Sequence, residues 1–303
     1  MIFVDVKGNL GNQLFIYSFA RKLQIKTGQT ICINTFYLNK YFPDRKFNLD
    51  KFNLNWDNIV IESEKPLPFF MNGYSLPMRI LNRGLSKFPK IKMTLSRTFF
   101  SFFSKFGIYI WNGETYIDIP ETTKKNYYVS GYWQSEEYFK DISDLLKDEI
   151  QSSKPIEEKN KELLRVIQNS DSICVTVRRG DYFSDKKNRK QYEVYPNSYF
   201  VDAVKWIKQK YPDAIVVCFS DDIEWVKRNL EFNTTTFYEE GNDDVAEKLK
   251  LMSSCKHFVI SNSSFSWWAS YLSNRGGITV APKRWYADNR PADIYRNSWN
   301  YLN

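Results

Sequence analysis

The chain has 303 residues, 43% of them hydrophobic, four cysteines and a formal net charge of +8. Such a length suits one large domain or two ordinary ones, and no apolar run approaches the roughly 20 residues of a membrane span. The charge argues against a nucleic-acid binder: residues 65–113 carry eight Lys and Arg and no acid, so the remainder sums to about zero.

The first predicted element is a strand at 1–6. It has no basic leader and no cleavage site, so no signal peptide is expected and the chain is placed in the cytoplasm. The strand runs into the loop Gly8-Asn9-Leu10-Gly11-Asn12-Gln13 and then a helix over about 12–27, where Phe15, Phe19 and Leu23 share a face. A second strand is read at 31–34. The acid-free segment follows, with Phe69, Phe70, Phe88, Phe99, Phe100, Phe102, Phe103 and Phe106 among its cations. Aromatic residues mixed with cations and no acids fit peripheral contact with the inner face of the cell membrane, or a helical pair packed on the first domain. A strand is read at 127–132, then a helix capped by Ser135 with Phe139, Ile142, Leu146 and Ile150 on one face.

The polar stretch 151–160, with Pro155, marks a domain boundary and gives domains 1–155 and 156–303. Beyond it β and α alternate. A strand at 173–177 ends in Arg178-Arg179-Gly180-Asp181, and a helix near 197–210 buries Phe200, Ala203, Val204 and Ile207. A strand at 215–219 ends in Ser220-Asp221-Asp222, and one at 257–260 ends in Asn262-Ser263-Ser264-Phe265-Ser266 before an aromatic-rich helix. Strands with continuous apolar runs, each followed by a helix, imply parallel sheets covered on both faces, here two Rossmann-like α/β domains. Cys32, Cys174, Cys218 and Cys255 are scattered, three of them in or beside strand-like runs, as expected of buried thiols and not of disulfides or a zinc cluster.

Ligands gather outside the carboxyl ends of parallel strands, so the three polar strand ends of the second half should share one site. A guanidinium offers a fixed-charge planar fork for phosphate oxygens. Arg178 and Arg179 alternate along an extended strand, so one is expected to reach a ligand; the plainer role is a surface pair with Asp181. Ser263, Ser264 and Ser266 suit either N-capping or anion contact at a helix N-terminus. Asp221-Asp222 reads as an N-cap before Ile223, with a metal-binding pair as the alternative. The first glycine loop fits neither the phosphate-loop nor the dinucleotide pattern. With a single histidine, His257, at a strand start, a general base must be a carboxylate. These residues describe a diphosphate-binding cleft with no metal cage.

The motifs Gly8–Gln13 with Leu14-Phe15-Ile16-Tyr17, Ser130-Gly131-Tyr132-Trp133-Gln134-Ser135-Glu136-Glu137-Tyr138-Phe139, Val175-Thr176-Val177-Arg178-Arg179-Gly180-Asp181-Tyr182, Phe219-Ser220-Asp221-Asp222, Leu251-Met252-Ser253-Ser254-Cys255 and Asn262-Ser263-Ser264-Phe265-Ser266-Trp267-Trp268 resemble, in order, those of glycosyltransferase family 11, the α-1,2-fucosyltransferases. The resemblance implies a GT-B fold, two Rossmann-like domains facing across a cleft. It also implies a GDP-fucose co-substrate, a galactose-containing glycan or lipid-linked oligosaccharide acceptor, inversion, and no metal or other cofactor. It would put Arg178 on the β-phosphate and assign donor contacts to Gly11, Asn12, Gln13, Arg179, Glu247, Ser263, Ser264, Phe265 and Ser266. Asp181 or Asp185 would be the base. Three departures stand out: Thr176 where the family has His, Lys248 where it has an acid, and Asn9 where it has Gly, the last tolerable because Asn accepts left-handed backbone. Two other readings are another GDP-sugar donor on the same fold, separable by donor-dependent product release, and a non-catalytic basic module, separable by saturable GDP binding.

Overall fold

The computed structural model describes residues 1–68, 71, 80, 83–84, 88–180, 186–192, 194–240 and 243–302. The expected boundary was residue 155; the chain divides after Glu149 into two compact units, Met1–Glu149 and Ile150–Asn303.

In the first unit the elements run β1 (Ile2–Asp5), α1 (Leu10–Thr27), β2 (Ile31–Asn34), α2 (Phe36–Tyr41), β3 (Ile59–Glu62), α3 (Pro89–Phe103), β4 (Ile108–Trp111), β5 (Tyr127–Gly131) and α4 (Ser143–Glu149). The strands form one parallel sheet in the order β3-β2-β1-β5-β4, with Ile2 opposite both Ile31 and Tyr127. Leu14, Phe15, Phe19 and Ala20 bury one face of α1, and Phe19 stacks on Trp133 at 4.1 Å. Arg21 of α1 holds Glu149 of α4 at 2.7 Å, and the Tyr17 hydroxyl donates to the same buried carboxylate. Loss of one partner from such a pair costs about 3–5 kcal/mol.

The helix expected over 135–150 does not form as one piece. Ser135 caps only a 3-10 turn at Glu136–Tyr138, and a second such turn, Lys140–Ile142, precedes α4. Phe139 lies between the turns at φ −146° and ψ 14°, outside helical geometry, and its buried ring packs on Phe15 at 6.0 Å. Core packing overrides the local helical pattern there.

The second unit runs α5 (Lys161–Gln168), β6 (Ser172–Val177), α6 (Lys186–Tyr192), α7 (Ser198–Lys208), β7 (Ile215–Ser220), α8 (Ile223–Asn229), β8 (Thr236–Tyr238), α9 (Val245–Ser253), β9 (His257–Val259), α10 (Ser264–Leu272), β10 (Thr279–Pro282) and β11 (Asn300–Leu302). Its six parallel strands follow the order β11-β10-β9-β6-β7-β8. Numbered from β6, that is the 3-2-1-4-5-6 order of the Rossmann fold, with its switch point between β6 and β9. Every residue of β6 is buried, as a sheet covered on both faces requires. Phe200, Ala203, Val204 and Ile207 of α7 pack on Ile173, Val175 and Val216, so Phe200→Ala should cost about 3–5 kcal/mol. On α10 Trp267 and Trp268 are fully buried, and the Trp267 indole N–H donates to the Ile294 carbonyl at 2.7 Å. Among the described residues no helix is long and apolar enough to cross a membrane.

Candidate active site

β6 and β7 lie in register with Val177 opposite Ser220, so the residues that follow them come out side by side. Arg178 Nη1 sits 2.8 Å from Asp221 Oδ2, and the Arg179 backbone N–H donates to Asp221 Oδ1 at 2.8 Å. One carboxylate therefore fixes both residues of the arginine pair. The guanidinium of Arg179 lies over the Trp225 ring at 3.6 Å and 3.5 Å from Asp222, with 18% of its side chain exposed against 32% for Arg178. Of the two, Arg179 is the more packed and Arg178 the more exposed. Only half of the expected acidic cap is a cap. Asp222 accepts from the Trp225 N–H at 3.2 Å, whereas Asp221 braces the arginines. A Cβ at Gly180 would meet Asp221 Oδ2 at 2.5 Å and displace the bracing carboxylate.

Across the switch point β6 pairs with β9, and the Ser261 N–H donates to the Thr176 hydroxyl at 3.1 Å. The threonine in the histidine position is thus spent on holding two strand ends together. Asn262 is buried, its amide donating to the Tyr192 and Trp285 carbonyls at 3.0 and 2.9 Å, which ties the end of α6 and the segment at Trp285 to this strand end. Ser263 occupies the N-cap of α10 with extended backbone but makes no side-chain capping bond. Ser263, Ser264 and Phe265 are half-buried at the first turn, where N–H groups lack intrahelical partners and the helix dipole favours an anion. Ser266 is buried and shares a hydrogen bond with the Ser261 hydroxyl at 3.3 Å, so only its backbone suits a ligand.

The first unit uses its signature differently. Gly8 has φ +77°, and a Cβ there would meet Asn12 Nδ2 at 2.4 Å. Asn9, expected to take left-handed backbone, is extended at φ −83°; the left-handed residue is Gly8. Gln13 is fully buried: its amide N–H groups go to the Gly8 and Lys46 carbonyls at 3.0 and 2.8 Å, and its oxygen accepts the Asn48 N–H at 3.0 Å. That arrangement corrects its assignment as a donor contact, since no part of the carboxamide is left for a ligand. Gly11 is buried in the first turn of α1, and half-buried Asn12 accepts from Gln134 Nε2 at 2.7 Å. Gln134 is delivered by Trp133, a buried residue at φ +54°, costly for a bulky side chain and held by its stacking on Phe19. At the β1 and β5 ends, buried Asp5 accepts from the Ser130 hydroxyl at 2.9 Å and lies 3.6 Å from Lys7 Nζ. Burial holds the Asp5 carboxyl above its usual range.

Glu247 is buried too. Its Oε1 accepts from the Glu157 N–H at 2.8 Å and the Asn160 amide at 3.1 Å, which makes it a brace for the segment leading into α5. Lys248, in the family's acid position, pairs with buried Glu239 at 3.0 Å. His257 lies at the amino end of β9, accepts the Ile278 N–H at Nδ1 and is pushed down to about 4 by burial. It is structural, as expected. The four cysteines are free and buried, and no group of three metal-ligating side chains occurs among the described residues. Asp181 and Asp185 lie outside the described residues. A concavity of about 300 Å³ in the first unit, lined by Phe19, Tyr109, Tyr116, Tyr138, Lys22 and Lys26, is near the amino ends of β4 and β5, away from the strand ends described above. Its lysines are paired, Lys22 with Asp141 and Lys26 with Glu121.

Known proteins bear on this arrangement. The profile described as Glycosyl transferase family 11 matches residues 1–303. An α-1,2-colitosyltransferase from Escherichia coli is 31% identical over 94% of this chain and 92% of its own length. A galactoside α-(1,2)-fucosyltransferase 1 from Leontocebus fuscicollis is 26% identical over 56% of this chain and 48% of its own. Among solved structures, the α-1,6-fucosyltransferase NodZ co-crystallized with GDP superposes with a TM-score of 0.51 at 13% identity, covering 90% of this chain and 92% of that one. That likeness concerns the fold, two parallel-sheet α/β units of GT-B type. The chain belongs to glycosyltransferase family 11.

Proposed function

We propose that the protein transfers L-fucose from GDP-fucose to the 2-hydroxyl of a galactose-type acceptor, with inversion and without a metal. The observation that carries the reading is the β6/β9 switch point. There the braced, partly open Arg178 stands beside a strand that leads into the uncapped first turn of α10. An arginine fork and a helix N-terminus are two preorganised ways to hold a diphosphate. The second unit takes the donor, and acceptor recognition is assigned to the first.

In a single displacement the acceptor oxygen bonds to the anomeric carbon as the bond to the β-phosphate oxygen breaks. The hydroxyl proton passes to a carboxylate, Asp181 or Asp185, and the electron pair leaves with GDP. Arg178 and the 264–266 N–H groups meet the charge that builds on the leaving phosphate, and a missing donor of this kind typically costs ~10²–10³ in turnover. Asp221 positions Arg178, and Asp222 caps α8, so neither carboxylate is assigned to a cation.

The colitosyl name of one relative favours a second reading, the same chemistry with another GDP-activated deoxysugar. Incubation with a panel of galactosides and either GDP-fucose, GDP-mannose or GDP-colitose, with and without EDTA, separates these. The proposal expects fucosylated product with GDP-fucose and little change on chelation. Product only from another donor, or activity restored by manganese after EDTA, would overturn it.

A further inference from the structure

We propose that α3 docks this protein on a bilayer surface rich in anionic phospholipid. The inference concerns the acid-free segment and does not depend on which sugar is transferred.

Phe100 fixes the helix to the first unit: it is buried against Tyr109, Trp111 and Trp133, with ring centroids 6.0–6.4 Å away. A stripe beside it does the opposite. Phe88, Ile91, Leu95, Phe99, Phe102 and Phe106 follow one another at three or four residues, and all but Leu95 are more than half exposed. The outer rings pack on one another, Phe99 on Phe103 at 6.1 Å and Phe102 on Phe106 at 5.4 Å. An apolar cluster of this kind on a surface marks an interaction site.

The charges choose the occupant. Lys90 and Lys105 are exposed, Lys92 is half-buried, and no acid occurs between 65 and 113 to neutralise them. Arg97 is engaged elsewhere, donating to the Thr115 hydroxyl and lying over Trp111, so the three lysines are the cations assigned to a partner. In a symmetric contact between two copies the same helix meets itself, and the segment brings cations but no acid of its own to offset them. An anionic headgroup layer supplies the missing charge and a hydrocarbon boundary for the rings. With 15 residues the helix is about 22 Å long and lies in the interface plane, its lysine stems reaching toward headgroups. Docking there would bring the enzyme to lipid-linked acceptors.

The test is flotation of the full chain, without sugar nucleotide, with vesicles of phosphatidylcholine alone or mixed with equal phosphatidylglycerol. Binding to the mixed vesicles only, falling with added salt, is expected. Lys90→Gln/Lys92→Gln/Lys105→Gln should weaken it about tenfold or more, and Phe99→Ser/Phe102→Ser about a hundredfold. The lysine variant alters two exposed side chains and one half-buried one, so it stays informative if the phenylalanine variant misfolds. Equal binding to neutral vesicles, no binding to either, or a dimer in light scattering that the phenylalanine variant abolishes would each overturn the proposal.

Discussion

At the carboxyl ends of the paired strands β6 and β9 the motif residues stay accessible: Arg178 is a third exposed, and Ser263 makes no side-chain cap on its helix. At the carboxyl end of β1 the equally conspicuous Gln13 is consumed, its amide bridging Gly8, Lys46 and Asn48 without any exposed surface. Both ends sit at switch points of parallel sheets, and both carry a family signature. The difference is exposure: Arg178 keeps part of its side chain at the surface, whereas Gln13 keeps none and spends its amide inside the unit. A signature residue can therefore be there to build a loop or to hold a ligand, and its burial separates the two.

Substitutions at these two ends should split along that line. Arg178→Ala should lower turnover by ~10²–10³ with little change in stability, and Arg178→Lys should be nearly as damaging, because lysine keeps the charge but loses the fork. Arg178→Ala keeping a tenth of wild-type turnover would break the comparison. Gly8→Ala should instead act through stability. It forces a side chain into φ +77° and onto Asn12, so a loss of about 1–3 kcal/mol in urea unfolding is expected. Gln13→Ala removes three buried hydrogen bonds, those to the Gly8 and Lys46 carbonyls and from the Asn48 N–H, and should cost at least as much. Arg179→Lys should be mild, since a cation remains over Trp225.

A subtler effect belongs to His257. Its folded value of about 4 lies below the ordinary 6.5, so the native imidazole stays neutral where the unfolded one takes a proton. Its contribution is complete above about 6.5 and is lost as pH falls through about 4. Urea midpoints measured from pH 7 to 4 should decline more steeply for the wild type than for His257→Asn. Parallel declines would remove this assignment.

Much of the second unit was legible because its strands are long, fully apolar runs: β6, β7 and α7 appear within a residue or two of their expected limits. The arginine motif and the serine-rich turn were legible as well. What escaped reading has physical reasons. β3 leaves Val60 and Ile61 exposed on an edge strand, and β8, β9 and β11 have three residues each, too short for periodicity to register β8 and β11. β4 lies at the end of an aromatic segment whose composition suggests membrane contact or a helical pair, not a sheet strand. The broken helix at 135–150 follows from Phe139 turning into the core. At the site, Asp221 reads with Asp222 as one cap, because a local pattern does not show that β7 delivers it beside Arg178. Gln13 looked like a ligand contact because its partners Lys46 and Asn48 are more than thirty positions away.

The central claim is that the open end of β6 holds the nucleotide diphosphate while Gln13 holds only its own loop. Calorimetric titration of GDP into the wild type, Arg178→Ala and Gln13→Ala, each melted in parallel, tests it directly. The expected result is saturable GDP binding that Arg178→Ala weakens at an unchanged melting temperature, and that Gln13→Ala retains while melting earlier. GDP affinity lost in Gln13→Ala at wild-type stability, or unaltered in Arg178→Ala, would contradict the account.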